Sequence, residues 1–277
     1  MNSEPPYVDP EIRTHYDEGH EHKRLLSGPG LLEFLRTQET VARFAPPAPG
    51  RALDVGGGTG IYAGWLAGLG YDVHLVDPIP LHIEQAAKAA AELQTGMFTV
   101  ELGDARHLHA DDNAVDLILL LGPLYHLTER SERMAALAEA RRVLRPGGVL
   151  VAAGISQFAS LHAGMANGWL ADGRYTTIVE RSLTEGQHRN PEREPGWFTT
   201  AYFHHPDILA AEMRESGFVL EGVLGVEGAA WLLPDLPEQL ADERRRQVLL
   251  DGLRRVEREP SLTGVSAHLL AVGRARR

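Results

Sequence analysis

The stretch that decides the fold runs from Ala52 to Leu66, ALDVGGGTGIYAGWL. An apolar approach, "RALDV", ends on an acid, Asp54. A glycine cluster follows, with Gly56, Gly58 and Gly60 in alternation, and then the helical run "IYAGWLAGLG", which stops at Gly70. A glycine turn between a strand and a helix is where parallel α/β sheets bind nucleotide-like ligands. A pyrophosphate commonly sits there, on the helix N-terminus. Asp54 would repel a pyrophosphate over that turn and attract a positively charged group instead.

Outward from this turn, strand and helix signals alternate. "DVHLVD" is a second strand, and the Ala-rich "PLHIEQAAKAAAELQ" is a helix. "FTVELGD" is a third strand. "VDLILLL" is a fourth, apolar throughout and therefore expected to be buried on both faces. "ERSERMAALAEARRVL" carries helical periodicity, is closed by "RPGG", and leads into a fifth strand, "VLVAAGI". Such alternation calls for a parallel sheet with helices on both faces. Upstream, "GLLEFLRTQETVARF" reads as a helix with Leu32, Leu35, Val41 and Phe44 on one face, ended by "APPAPG". Beyond Ile155 the rhythm breaks: two helices and then the loop-like "QHRNPEREPGW". It resumes with the helix "PDILAAEMRESG" and two strands, "FVLEGVLGVEG" and "SAHLLAVGRA". The expected organisation is an N-terminal helical segment (1–48), a core (49–155 and 201–277) and an insertion after the fifth strand (156–200).

Composition limits the chemistry. The 277 residues hold no cysteine, which removes disulfides, thiolate nucleophiles and zinc–thiolate sites. With 27 basic against 38 acidic residues the net charge is −11, and the basic residues are scattered, so a nucleic-acid partner is not expected. No apolar run is long enough to span a bilayer and the polar start lacks secretory features, so no membrane partner is expected and the expected compartment is the cytoplasm. His15, His20 and His22 have no fixed ligand spacing and read as a solvated helix face. His204 and His205 are adjacent on an extended segment and cannot readily chelate one ion. No metal is expected.

An acid followed by G-x-G-x-G at the first strand end resembles the first motif of class I S-adenosylmethionine-dependent methyltransferases. Residues 51–154 follow that family in order, and "GPLYHL" (122–127) resembles a segment of bacterial small-molecule methyltransferases. The resemblance implies a Rossmann-like α/β fold, an open, mostly parallel, seven-stranded sheet. It implies S-adenosyl-L-methionine as cofactor and S-adenosyl-L-homocysteine as product. Asp54, Gly56, Gly58 and Gly60 would form the first cofactor turn. Asp77, followed by Pro78, would accept from the ribose hydroxyls, with helix capping as the alternative. Asp104 would receive the adenine amino group and Ala105 would present its backbone N–H. Leu121 and Gly122 would line the transfer site. From the N-terminal segment, Tyr16 would touch the cofactor and Arg36 would pair with its carboxylate.

A methyl on a sulfonium is already activated, so the protein must mainly align the groups and exclude water. A hydroxyl or amine acceptor must also lose a proton, and His126 stands at the correct end of the sheet to take it. Tyr125 beside it is a candidate for contact with cofactor or substrate. The insertion is rich in aromatic residues, and Trp169, Tyr202 and His204 are candidate substrate contacts, although such residues also pack into subdomain cores. The expected reaction is methyl transfer to a small molecule, at oxygen before nitrogen, by a monomer or homodimer. Methylation of a peptide or protein terminus, and a non-catalytic cofactor-binding or scaffold protein, stand as alternatives. A nicotinamide oxidoreductase is opposed by Asp54.

Overall fold

The computed structural model describes residues 6–17, 24–93 and 96–276. Two helices precede the sheet, α1 (Pro10–Asp17) and α2 (Gly28–Phe44). The alternating part follows: β1 (Arg51–Val55), α3 (Ile61–Gly68), β2 (Asp72–Asp77), α4 (Pro80–Glu92), β3 (Phe98–Leu102), β4 (Val115–Leu120), α5 (Pro123–His126), α6 (Arg130–Val143) and β5 (Leu144–Ser156). Then come α7 (Ala159–Asn167), α8 (Gly173–Glu185), β6 (Gln187–His188), β7 (Ala201–His204), α9 (Pro206–Glu215) and β8 (Phe218–Gly225). The chain ends with α10 (Leu236–Ala241), α11 (Glu243–Val256), α12 (Pro260–Thr263) and β9 (His268–Ala275).

The main sheet runs β3-β2-β1-β4-β5-β9-β8, parallel except for β9, which is antiparallel to both neighbours. Order reverses between β1 and β4, and at such a switch point the crevice beyond the strand ends opens toward a ligand. Side chains divide by strand periodicity. Leu117 and Leu119 of β4 join Val149 and Val151 of β5 in one core. Ile118 and Leu120 join Leu150 and Ala152 in the core on the opposite face. Both faces are covered, which explains why "VDLILLL" carries no polar alternation.

The structure adds three features to the sequence reading. Strand β5 begins at Leu144, because Leu144 pairs with Val115 before a register shift. The insertion ends in a short branch, β6 against β7, with β7 joined to the end of β5 through Ile155–Phe203 and Ser156–His204. Between β8 and β9 the chain builds a helical layer in which Leu236, Leu240, Leu250 and Leu253 pack on Leu32 of α2. The signal for that layer was present: "RRRQVLLDGLRRV" repeats apolar positions at helical spacing.

Beneath the branch, Arg133 of α6 and Glu212 of α9 form a buried ion pair at 2.8 Å, with the Arg133 guanidinium 3.6 Å from the Tyr202 ring centroid. Burial raises the Glu212 carboxyl, but the hydrogen bonds and charges of His204 and Arg133 outweigh it and hold it down to about 2. Glu212→Ala would strand the guanidinium without a counter-charge and is expected to cost roughly 3–5 kcal/mol. The advantage of the wild type should be full above pH 4.5 and vanish as the pH falls toward 2. Denaturant unfolding of both proteins across that range measures it; a loss below about 1 kcal/mol, the level of an exposed pair, would contradict the assignment.

Candidate active site

A cavity of about 420 Å³ opens beyond the carboxyl ends of β1, β2 and β4. Its floor is the glycine turn. Gly56, Gly58 and Gly60 all have positive φ, as the reversal from strand to helix requires. The protein's own packing also demands two of them: a Cβ on Gly56 would come within 2.6 Å of Pro123, and one on Gly60 within 2.7 Å of Phe98. Gly57, which the sequence reading did not single out, is restricted equally, since its Cβ would lie 2.7 Å from Asp54 Oδ2. Gly56, Gly57 and Gly58 line the cavity, whereas Gly60 belongs to the helix start behind it.

Asp54 lies at the cavity wall and is 1% exposed. Neither carboxylate oxygen has a hydrogen-bond partner of good geometry among the described residues. Burial, reinforced by the charge of Asp77, pushes its pKa up to about 7, and the Ala63 backbone N–H opposes only a small part of that. An acid in this state lacks a positive charge that the protein does not supply.

Asp77 is occupied differently. Its Oδ2 accepts from the Gly58 N–H at 2.9 Å, and its Oδ1 from the Ile79 N–H and from His82 Nδ1, at 2.9 and 3.0 Å. The capping and turn-holding roles are therefore real. Three donors leave about one of a carboxylate's four acceptor positions, on Oδ2. His82, missed from sequence, also lines the cavity, and its Nε2 is buried with no partner among the described residues. Asp104 and Ala105 are part of the lining, with Asp104 gripped by Arg106 through Oδ1 and Oδ2 at 2.5–3.0 Å. Pro78, Leu121 and Gly122 line it as well.

On the far wall, α5 places Tyr125 and His126. Tyr125 is anchored by its hydroxyl to the Leu121 carbonyl at 2.9 Å. His126 Nε2 and the Tyr16 hydroxyl share a hydrogen bond of 2.5 Å. Burial, with a smaller repulsion from His15, pushes the His126 pKa down to about 3. His126 is therefore neutral at ordinary pH. Helix α1 and the residues just before it cover this wall: Arg106 donates to the Tyr7 carbonyl, and Thr200 bonds the Glu11 carboxylate. His15 packs its ring near Phe198 instead of facing solvent, while His20 and His22 lie outside the described residues.

Besides Gly60, four expected site residues are elsewhere. Arg36 is 1% exposed, ion-paired to Glu39 and Glu257 and bonded to the Val226 carbonyl, so it fastens α2 to the layer between β8 and β9. Arg24, paired with Glu33, lines the cavity in its place. Trp169 packs edge-on against Tyr175, which packs in turn against Trp197, as a core for the insertion. Tyr202 covers Arg133, and His204 is buried against Glu212 at 3.4 Å. Of the insertion, Arg189 alone among the described residues lines the cavity.

Residues 53–152 match the model of a methyltransferase domain. An uncharacterized methyltransferase of Mycobacterium tuberculosis is 37% identical over 112 residues, 40% of this chain and 42% of that protein, so the chain spans less than half of that relative's length. The demethylmenaquinone methyltransferase of Roseiflexus castenholzii is 32% identical over 199 residues, 69% of this chain and 78% of that protein. Among solved structures, a S-adenosylmethionine-dependent methyltransferase of Methanosarcina mazei shares the fold with a TM-score of 0.60 at 18% identity, covering 86% of this chain and 97% of that one.

The state of Asp54 has a measurable consequence. Between pH 3.8 and about 7 the folded protein holds a proton on Asp54 that the unfolded chain has released, so stability falls as pH rises through that window and levels off above it. Asp54→Asn should lack this fall and gain on the wild type toward neutral pH by up to a few kcal/mol, at about 1.4 kcal/mol per pKa unit. Unfolding free energies measured from pH 4 to 8 test it; parallel curves for the two proteins would mean that Asp54 ionises normally.

Proposed function

The chain belongs to the class I S-adenosylmethionine-dependent methyltransferase family, and from that premise we propose that it transfers a methyl group to a small-molecule acceptor, at oxygen in preference to nitrogen. The observation that carries this reading is Asp54, a buried carboxylate at the cavity wall with both oxygens unpartnered among the described residues. A cofactor with a sulfonium and an α-ammonium supplies the missing charge; a dinucleotide pyrophosphate would add repulsion.

The residues present fit S-adenosylmethionine in other respects. Asp77 keeps about one acceptor position for a ribose hydroxyl, so it would take one hydroxyl without displacing a protein donor. Asp104 and Ala105 would meet the adenine, and Arg24, not Arg36, would stand near the cofactor carboxylate. When bound, the cofactor supplies an electrophilic methyl whose leaving group needs no protein acid.

What remains for the chain is to position the acceptor, exclude water and take a proton. Helix α1 and the Tyr125 wall do the excluding. His126 is neutral and can accept a proton from an acceptor hydroxyl through Nε2, as a weak base, because the burial that keeps it neutral also disfavours its cation. That nitrogen already holds a hydroxyl, that of Tyr16, and an acceptor hydroxyl in its place would be bound in the same way. This favours oxygen.

Two measurements follow. Binding of S-adenosylmethionine near pH 6.5 should release protons as Asp54 ionises, visible by calorimetry in buffers of different ionisation enthalpy. NAD should not bind, and NAD binding without S-adenosylmethionine binding would overturn the reading. With an acceptor in hand, His126→Ala should lower turnover by about 10²–10⁴-fold while cofactor affinity holds. With S-adenosylmethionine saturating, so that Asp54 is already ionised, the acidic limb of kcat/KM for the acceptor should lie well below pH 6.5, because burial depresses the His126 pKa; a limb at or above 6.5 under that condition would mean that another group is the base.

A further inference from the structure

Three arginines line the cavity, and two of them are neutralised. Arg24 is held by Glu33 at 2.5 and 3.2 Å. Arg106 is held by Asp104 and Glu132. Arg189 differs. Among the described residues no carboxylate lies within ion-pair distance of it, and its side chain makes one bond, from Nη2 to Gln187 Oε1, at a long 3.4 Å. In a chain with net charge −11, an arginine at a cavity wall without a carboxylate needs explaining.

The chain around Arg189 is fixed on both sides. His188 bonds Ser160 Oγ through Nδ1 at 2.8 Å, bonds the Phe198 carbonyl through Nε2 at 3.1 Å, and stacks on Phe203. Asn190 donates to the carbonyls of Glu194 and Trp197, both at 3.1 Å, and accepts from the Glu194 N–H at 3.0 Å. Both neighbours are buried, so the backbone that carries Arg189 is held in place. A guanidinium on a fixed mount loses little entropy when it closes on a partner. Its place along the cavity also matters. Gln187 donates to the Thr128 carbonyl at 3.1 Å, just beyond His126, whereas Arg24 neighbours Glu33 and Tyr62 at the Asp54 end.

Resting on the reading of this cavity as a methyl-transfer site, we propose that Arg189 binds a carboxylate of the acceptor. The substrate is then a small carboxylic acid bearing the hydroxyl that is methylated. The planar fork of arginine matches a carboxylate through two parallel hydrogen bonds. Asp9, Glu129 and Glu132 line the same cavity, so a monoanion is repelled less there than a phosphate dianion would be. The carboxylate fixes the acceptor at one end and His126 receives its hydroxyl at the other.

The test uses the protein saturated with S-adenosylhomocysteine and titrated separately with benzoate, benzamide and inorganic phosphate, observing the arginine side-chain NMR resonances. Benzoate should shift the Arg189 resonance with a dissociation constant in the millimolar range, on the order expected for one charged contact. Benzamide should not, and phosphate should bind more weakly. Arg189→Gln should weaken benzoate about tenfold or more, Arg189→Lys should lose less, and S-adenosylhomocysteine affinity should stay within about twofold in both. Undiminished benzoate binding in Arg189→Gln, or none by the wild type at about 100 mM, overturns the proposal. Phosphate binding tighter than benzoate overturns it too, as does a loss of S-adenosylhomocysteine affinity in Arg189→Gln, which would place Arg189 on the cofactor. A wild type that fails to bind S-adenosylhomocysteine at all refutes the methyl-transfer reading itself, and benzoate titration of the ligand-free protein still reports on Arg189.

Discussion

The burial of one carboxylate, Asp54, organises the rest of the site. A side chain of this kind at the end of an otherwise apolar strand is expensive unless a donor or a cation meets it. The fold supplies neither with good geometry. It also makes the cost worse by placing Asp77 near enough to raise the Asp54 pKa. The two acids end neighbouring strands, β1 and β2, whose parallel register aligns Asp54 with Leu75 and brings Asp77 up to the glycine turn. Asp77 is stabilised by three donors, and Asp54 by none of good geometry. One acid thus holds the turn in shape, and the other is left facing whatever the turn receives.

The walls of the cavity are held by different forces. The floor and the α5 wall belong to the packed sheet, where apolar residues are almost fully buried on both faces. Helix α1 buries a single apolar side chain, Ile12, and is otherwise attached through polar contacts to Thr200 and His126 and through the edge-on rings of His15 and Tyr16, while Arg106 holds Tyr7 just before it. Elements with few buried apolar contacts sit at the low end of local stability. The cover over the cavity is therefore its least costly part to lift, and two of the residues that hold it, Arg106 and His126, line the cavity.

What the sequence revealed and what it hid separate along the same line. Asp54, the glycine turn and Asp77 were readable because strand end, turn and helix start lie within a few residues, and the chemistry is local. The alternation of strand and helix signals pointed to a parallel sheet covered on both faces, whereas the placing of β9 between β5 and β8 needed the structure. Arg36 misled because its helix, α2, has two covered faces: Leu32 and Val41 mark them, but only the packed structure shows that Arg36 meets Glu257 from the far end of the chain. Trp169, Tyr202 and His204 misled for a related reason. An aromatic-rich insertion must first bury its own side chains, which consumed Trp169, while Tyr202 and His204 just after it were taken up by the buried Arg133–Glu212 pair. Arg189 stood in a stretch that reads as loop, and nothing local distinguishes it from Arg193 nearby.

The insertion and the network beneath it are coupled through the β6–β7 branch. Gln187 and His188 pair with Tyr202 and Ala201, and Tyr202 rests on Arg133, whose guanidinium also donates to the carbonyls of Leu127 and Thr128 just after His126. Arg133 thus touches, directly or through one residue, both the turn that carries His126 and the strand that mounts Arg189. Its ion pair with Glu212 fixes the guanidinium plane, and the plane fixes the two carbonyls and the Tyr202 ring together. A buried charge pair seldom adds net stability over apolar packing. Its use here is geometric: it ties the base candidate and the insertion to one rigid group, so that the distance across the cavity is set by the core.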